Sequence, residues 1–501
     1  MSGGAGAGAS AFARRKALAL TLCLGSAQEP AFAHAFGARY ELPAPVWLFI
    51  VGGALTVTLT FIIVAAFARA GAERFASVHW ALRGTVLGRL LGAPGLHTAL
   101  RAVAVAVLLL VLVAGFVGTS DPNRSIAPTL IWIVWWVGFS YIAMLVGNLW
   151  PLINPWRTIF DGVQRWRDRG AAVGAASSAQ PRPWPAGLGS WPALVLLLLF
   201  GWVELIFPLR ADPRVLSWLV LAYSALTWAG MARYGPQAWL EHADPFYRVF
   251  ELLSRFAPFA VLPREGLSLR PYAAGLLSPE HARLCSAQVA FVVALLAIVL
   301  FDGLQSSKHW LALEDAVHAI NPTFGDFGWM ALHSVGLLVA WLVFLGLYGA
   351  TCKVMQVVSG GGVSVQALAR AFAPTLIPIA VGYGFAHSFT YLLVQGQALA
   401  YLVSDPFGLG WNLFGTRDFA IDITLIGTKT AWYVALGAII AGHAISVYLA
   451  HVVAERMLHT RARALKALVP MTVLMVLYTV ISLQILAEPL VRYSGPQETI
   501  I

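Results

Sequence analysis

Charge is scarce in this chain. Only 11% of its 501 residues are Asp, Glu, Lys or Arg, against the roughly 25% of soluble domains, so a water-soluble globular protein is excluded. Cysteine is scarcer still, with three in all. Cys23 lies in a leader-like segment, and Cys285 and Cys352 fall at cytoplasmic helix ends, which excludes a disulfide framework. Short metal-ligand spacings are missing too: no His-Glu-x-x-His and no His-x-His occurs.

What remains is apolar. Hydrophobic residues make up 59% of the chain. They gather in runs of about 20 residues nearly free of charge, the length a bilayer core demands. Ten such runs follow the N-terminal segment, near 46–68, 99–118, 128–148, 189–208, 214–232, 284–304, 327–351, 371–396, 431–454 and 468–487. Backbone groups in lipid must be satisfied within their own segment, so each run reads as a helix. The fold class is all-α: a polytopic transmembrane helix bundle of about ten helices.

The first 33 residues read as a cleaved signal peptide. Arg14, Arg15 and Lys16 precede the apolar stretch Ala17 to Leu24, and Ala31-Phe32-Ala33 supplies small residues at −3 and −1. Cleavage after Ala33 makes His34 the first mature residue, with an amine beside its imidazole, a pair that chelates metals. The plainer reading is that His34 begins a stub.

The net charge of +10 is a topology signal and not a nucleic-acid footprint. With the mature N-terminus outside, alternate loops hold 21 basic residues on the cytoplasmic side and 8 on the outer side. That asymmetry follows the positive-inside rule and puts both mature termini outside. The stretch 171–190, rich in Ala, Gly, Pro and Ser, reads as a flexible cytoplasmic linker.

One internal similarity organises the first part. Asp121-Pro122 precedes the third helix and Asp212-Pro213 the fifth, and some 32 residues later stand "NPWRTIF" and "DPFYRVF". Asn154 and Asp244 are N-caps with Pro at the first helical position, each starting an amphipathic cytoplasmic helix. Residues 34–283 thus read as helices one to five with a duplicated helical hairpin. Residues 284–501 read as helices six to ten, with outer loops 305–326 and 398–430 capping a candidate site.

Ionisable side chains inside a bilayer are costly and mark functional candidates. Glu204, Asp302, His333, His387 and His443 all fall in the outer half of their runs. Three imidazoles from separate helices plus Asp302 match the donor preference of Zn²⁺ or a similar divalent ion, with His34 and His318 as further ligands if the outer loops fold inward. Such an ion would supply hydroxide near neutral pH. Asp302, His387 and His443 are then the catalytic candidates, and Gln395 and Gln397 the substrate-binding ones. The competing reading is polar glue, each histidine bonding across a helix interface. A lesser reading is a b-type haem held by His387 and His443. His451, eight residues beyond His443, is too far along the axis to share an ion with it; it and His97 read as structural.

"HAFGARYELPAPVWLFIVGGAL", "FAHSFTYLLVQGQ", "SDPFGLGWNLFGT", "WYVALGAIIAGHAISVYLAH" and "PMTVLMVLYTVISLQIL", in that order, resemble the blocks of a family of bacterial polytopic membrane proteins, the fenitrothion hydrolases. The resemblance covers most of the mature chain by texture and order, without a short catalytic motif. It implies a bacterial inner-membrane hydrolase of organophosphorus triesters that releases a nitrophenol from a small hydrophobic substrate. Two other classes fit the helices: a transporter or metal or proton pathway, and a non-catalytic membrane subunit of a hetero-oligomer.

Overall fold

A computed structural model of the chain describes residues 45–67, 75, 77–170, 181–262, 265–278, 284–458 and 460–491. The expected signal peptide, His34 and the 171–180 part of the linker lie outside the described residues.

The chain is an all-α bundle. Among the described residues, nine helices are long and apolar enough to cross a membrane. The long crossings are α1 (Val46–Phe67), α2 (Pro94–Val117), α3 (Ile126–Leu145), α6 (Pro213–Tyr234), α8 (Ser286–Gln305), α10 (Asp326–Val358), a run over 365–402 whose longest helix is α11 (Ile377–Gln395), α12 (Thr428–Leu458) and α13 (Arg461–Val491). The remaining apolar run, 189–208, forms α5 (Trp191–Leu205), only 15 residues and so about 22 Å at 1.5 Å per residue. That is short of the roughly 30 Å hydrocarbon core. At the other extreme, α10 has 33 residues, and its side chains Leu338, Val339, Leu342 and Val343 are exposed, the pattern of a helix that meets lipid along one flank.

Helix starts follow local chemistry. Asn154 accepts from the Arg157 N–H at 3.0 Å to open amphipathic α4 (Pro155–Gly170). Asp212 accepts from the Val215 N–H at 2.9 Å to open α6, and Asp244 accepts from the N–H groups of Phe246 and Tyr247 to open α7 (Pro245–Ser254). Each is an acidic or amide side chain satisfying donors that a helix N-terminus leaves orphaned. Asp121 behaves differently: it caps its own turn through the Asn123 N–H, and Ser125 caps α3.

The two halves pack by different means. Around α3, α5 and α7 the core is aromatic: the Trp135 ring lies 4.5 Å from Phe246 and within 6.5 Å of Trp136, Trp150, Trp156, Phe200 and Phe250. Most of these pairs are edge-to-face, the arrangement ring quadrupoles favour. In the second half α11 and α12 run antiparallel in backbone contact. A side chain at Gly442 would overlap the Pro378 carbonyl oxygen, and one at Gly382 would crowd the Ala438 carbonyl. Small residues that let helices touch are the usual means of association in lipid, where burial of apolar surface gives no drive.

Loops at each end tie the crossings together. A small antiparallel sheet of order β1-β3-β2 joins β1 (Trp80–Ala81), which follows α1, to β2 (Phe259–Leu262) and β3 (Gly266–Leu269), which follow α7. Strands so short carry no alternation by which a sequence would reveal them. At the opposite end the Thr119 N–H donates to Phe407 O at 2.8 Å and the Tyr401 hydroxyl to Asn123 O at 3.1 Å. There Gly408 has φ +67° and lies against Thr119, a position that only glycine fills without strain. Loops assigned to one side by alternation therefore meet at one end of the bundle, and this is so at both ends.

Candidate functional site

The candidate site lies at the end of the bundle that carries the Thr119–Phe407 contact. Asp302 stands in the last turn of α8, and His387 is in the second half of α11. Their side chains meet across the helix interface, His387 Nε2 to Asp302 Oδ2, at 2.6 Å. The imidazole is largely buried and the carboxylate about one-third exposed. A charge-assisted pair this short is a strong hydrogen bond, and it fixes the ring's orientation as well as its position.

Other polar groups approach from neighbouring helices. Glu204, one residue before the end of α5, accepts the Trp136 indole N–H at 2.6 Å and lies within electrostatic reach of Asp302 and Arg210. Tyr391, one turn beyond His387, senses the same two carboxylates. Tyr383, one turn before it, stacks on the His387 ring with centroids 6.0 Å apart. Phe385 and Phe389 stack at 5.3 Å, and Phe385 also lies against Tyr141 at 5.1 Å. Three carboxylate or imidazole groups and an aromatic wall thus come from α3, α5, α8 and α11.

The other residues singled out from sequence lie elsewhere. His333 on α10 is held at both ring nitrogens, Nδ1 2.7 Å from Gln305 Oε1 and Nε2 3.0 Å from Glu314 Oε1. Trp310 donates to the same Glu314 oxygen at 2.7 Å and packs on the His333 ring. Its helix, α9 (Lys308–Ile320), also carries His318, which is exposed. His443 is 1% exposed, with Nδ1 2.8 Å from Ile439 O and its ring beside Tyr478. Gln397 is spent on structure, donating to Leu393 O and Asp422 O and accepting from the Asp422 N–H. Gln395 closes α11. His97 bonds Leu91 O at 2.7 Å.

The four proposed ligands therefore occupy three places. Asp302 and His387 are together; His333 and His443 are apart from them and from each other. Among the described residues no group of three or more His, Cys, Asp or Glu side chains gathers in a way that could hold a metal ion. His387 and His443 sit on helices that are in backbone contact at Gly382 and Gly442.

Trp136, Tyr383, Tyr391 and Glu314 were not singled out from sequence. Glu314 had a signal, since a lone Glu on the apolar side of a short amphipathic helix needs a partner. Trp136 had none.

Outside the membrane-spanning segments, two carboxylates depart from their ordinary range. Burial pushes Asp244 up to about 6. Asp422, on the loop that Gln397 anchors, is held below the usual range by the Thr424 hydroxyl and backbone N–H.

The chain matches no family model, no curated protein and no solved structure.

Proposed function

We propose that the chain is a multi-pass membrane hydrolase of neutral, apolar organophosphorus triesters, in which Asp302 and His387 form the general base. The observation that carries this reading is the 2.6 Å contact between a buried imidazole and a carboxylate on different helices, beside a second carboxylate and an aromatic wall. His387, oriented by Asp302, takes a proton from water as the water oxygen attacks phosphorus. The P–O bond to the aryl group breaks, and the nitrophenolate leaves with its electron pair, needing little acid assistance. Asp302 stabilises the imidazolium without itself taking the proton, the role a carboxylate plays behind a catalytic histidine. Trp136, Tyr141, Phe385 and Phe389 suit an aromatic ring partitioned from lipid. The substrate class rests on the family resemblance.

The proposed step runs through side chains, because the donors do not converge on one point. Purified full-length protein should release nitrophenol from a nitrophenyl phosphotriester, and a membrane-impermeant chelator should leave that rate unchanged. No turnover by the pure chain would overturn the hydrolase reading. Turnover abolished by the chelator would return the metal.

For orientation we infer that the arginine-rich end faces the cytoplasm of a bacterial inner membrane and that the candidate site lies towards the outside. A C-terminal reporter active only in the cytoplasm would reverse it.

A further inference from the structure

Below the Asp302–His387 pair the second half of the bundle contains buried polar groups that the proposed hydrolysis does not use. Among the described residues the Tyr383 hydroxyl, His443 Nε2 and the Ser482 hydroxyl have no hydrogen-bond partner, although each residue is 1% exposed or less. An unsatisfied polar atom in an apolar interior costs roughly 1–3 kcal/mol, so three in one region need a reason. Natural cores hold few such groups, and each calls for a water, an ion or a function.

Their arrangement is linear. The contact of Gly382 with Gly442 and Ala438, together with the Ser446 hydroxyl bonded to Thr375 O, sets α11 and α12 antiparallel and fixes their relative heights. Tyr383 is one turn below His387, about 6 Å along the axis, and level with Ser482, which lies one turn from Tyr478 on α13. Tyr478 in turn lies against the His443 ring, with centroids 5.9 Å apart. Below His443 on α12 come Ser446 and His451, both on the buried side. His451 Nε2 is 3.3 Å from Glu455 Oε1, too poorly aligned for a hydrogen bond, and Glu455 is partly exposed near the arginine-rich end.

We propose that this column, from Asp302 and His387 through Tyr383, Ser482 and His443 to His451 and Glu455, is a proton-conducting track across the membrane. The steps down to His443 are about one helical turn each, a gap that one hydrogen-bonded water spans, and the roughly 12 Å from His443 to His451 takes more than one water, with Ser446 between them. Hydroxyls and neutral imidazoles both donate and accept, which relaying a proton requires, whereas the apolar residues between them would block any larger ion. Chains of His and carboxylate groups inside a bundle mark proton relays.

The test needs no substrate and so is independent of the hydrolase reading. Full-length protein in vesicles containing a pH-sensitive dye is given a potassium-diffusion potential, and the rate of internal acidification is followed. Vesicles with the wild-type chain should acidify faster than protein-free vesicles. Tyr383→Phe, which removes one hydroxyl and keeps the ring, and His443→Phe should both fall to the protein-free rate. His97→Ala, off the track, should retain the wild-type rate. Wild-type vesicles no faster than protein-free ones, or full flux in both track variants, would overturn the proposal. Neither result bears on phosphotriester hydrolysis in detergent.

Discussion

Asp244 and Asp302 are carboxylates at opposite ends of the bundle, the first buried and the second about one-third exposed, and they are satisfied in different ways. Asp244 serves the backbone: it accepts from the N–H groups of Phe246 and Tyr247 and from the Tyr223 hydroxyl at 3.0 Å. None of its partners changes protonation near neutral pH. Asp302 faces an imidazole from another helix, a group whose ordinary pKa lies inside the physiological range. A carboxylate that serves fixed donors is architecture, and one that serves a titratable partner can do chemistry.

The largest expected effect comes from breaking the second arrangement. His387→Ala and Asp302→Asn should each lower hydrolytic turnover by about 10²–10⁴-fold, the range a positioned general base supplies, at equal membrane expression and with melting temperatures little changed. Near-normal turnover in both variants would place the chemistry elsewhere.

Asp244 should show the reverse pattern, with stability altered and turnover kept. Asp244→Ala leaves two helix N–H groups and a tyrosine hydroxyl without their acceptor and should destabilise the chain by about 1–2 kcal/mol, the usual loss for an N-cap. The pH dependence follows from its direction of shift. Burial raises the folded-state pKa from 3.8 to about 6, so the folded chain binds this proton more tightly than the unfolded one. The resulting stabilisation is complete below about pH 4 and is lost as pH rises through 6, amounting to roughly 3 kcal/mol at about 1.4 per unit. Asp244→Asn keeps an acceptor and removes the charge. Its thermal stability in detergent should therefore lack that decline between pH 4 and 7, and an unchanged decline would assign the slope to another group.

How these two carboxylates could be read in advance also differs. Asp244 was legible because its role is local: Asp followed by Pro before an apolar-periodic stretch specifies a cap wherever it occurs. The long crossings were legible for a related reason, since lipid removes every alternative to a helix for a charge-free run. The Asp302–His387 pair was not, because the partners stand 85 residues apart and only packing brings their faces together. Position within the apolar runs indicates the depth of Asp302, His333 and His387, towards one end, but not their azimuth, and it misplaces His443, which stands level with the first turn of α11. Two helices can present histidines at one height and still turn them to different neighbours. The short β1-β3-β2 sheet escaped for the same reason: its register is set by tertiary contact alone.

The smallest expected effect concerns His333, and it separates a histidine that is near the site from one that belongs to it. Its two ring nitrogens are engaged by Gln305 and Glu314, and Gln305 lies one turn beyond Asp302 on α8. This arrangement staples α9 to α8 and α10 without reaching the reacting pair. Removing the ring should loosen that staple and leave the geometry of Asp302 and His387 in place. His333→Ala should then lower turnover by less than about tenfold, below the 10–100-fold that follows loss of even a residue behind a metal ligand. Its effect should instead show as faster proteolysis between α8 and α10. A loss of 10²-fold or more, with the proteolysis pattern unchanged, would mean that His333 swings inward during turnover and that the two polar clusters act as one.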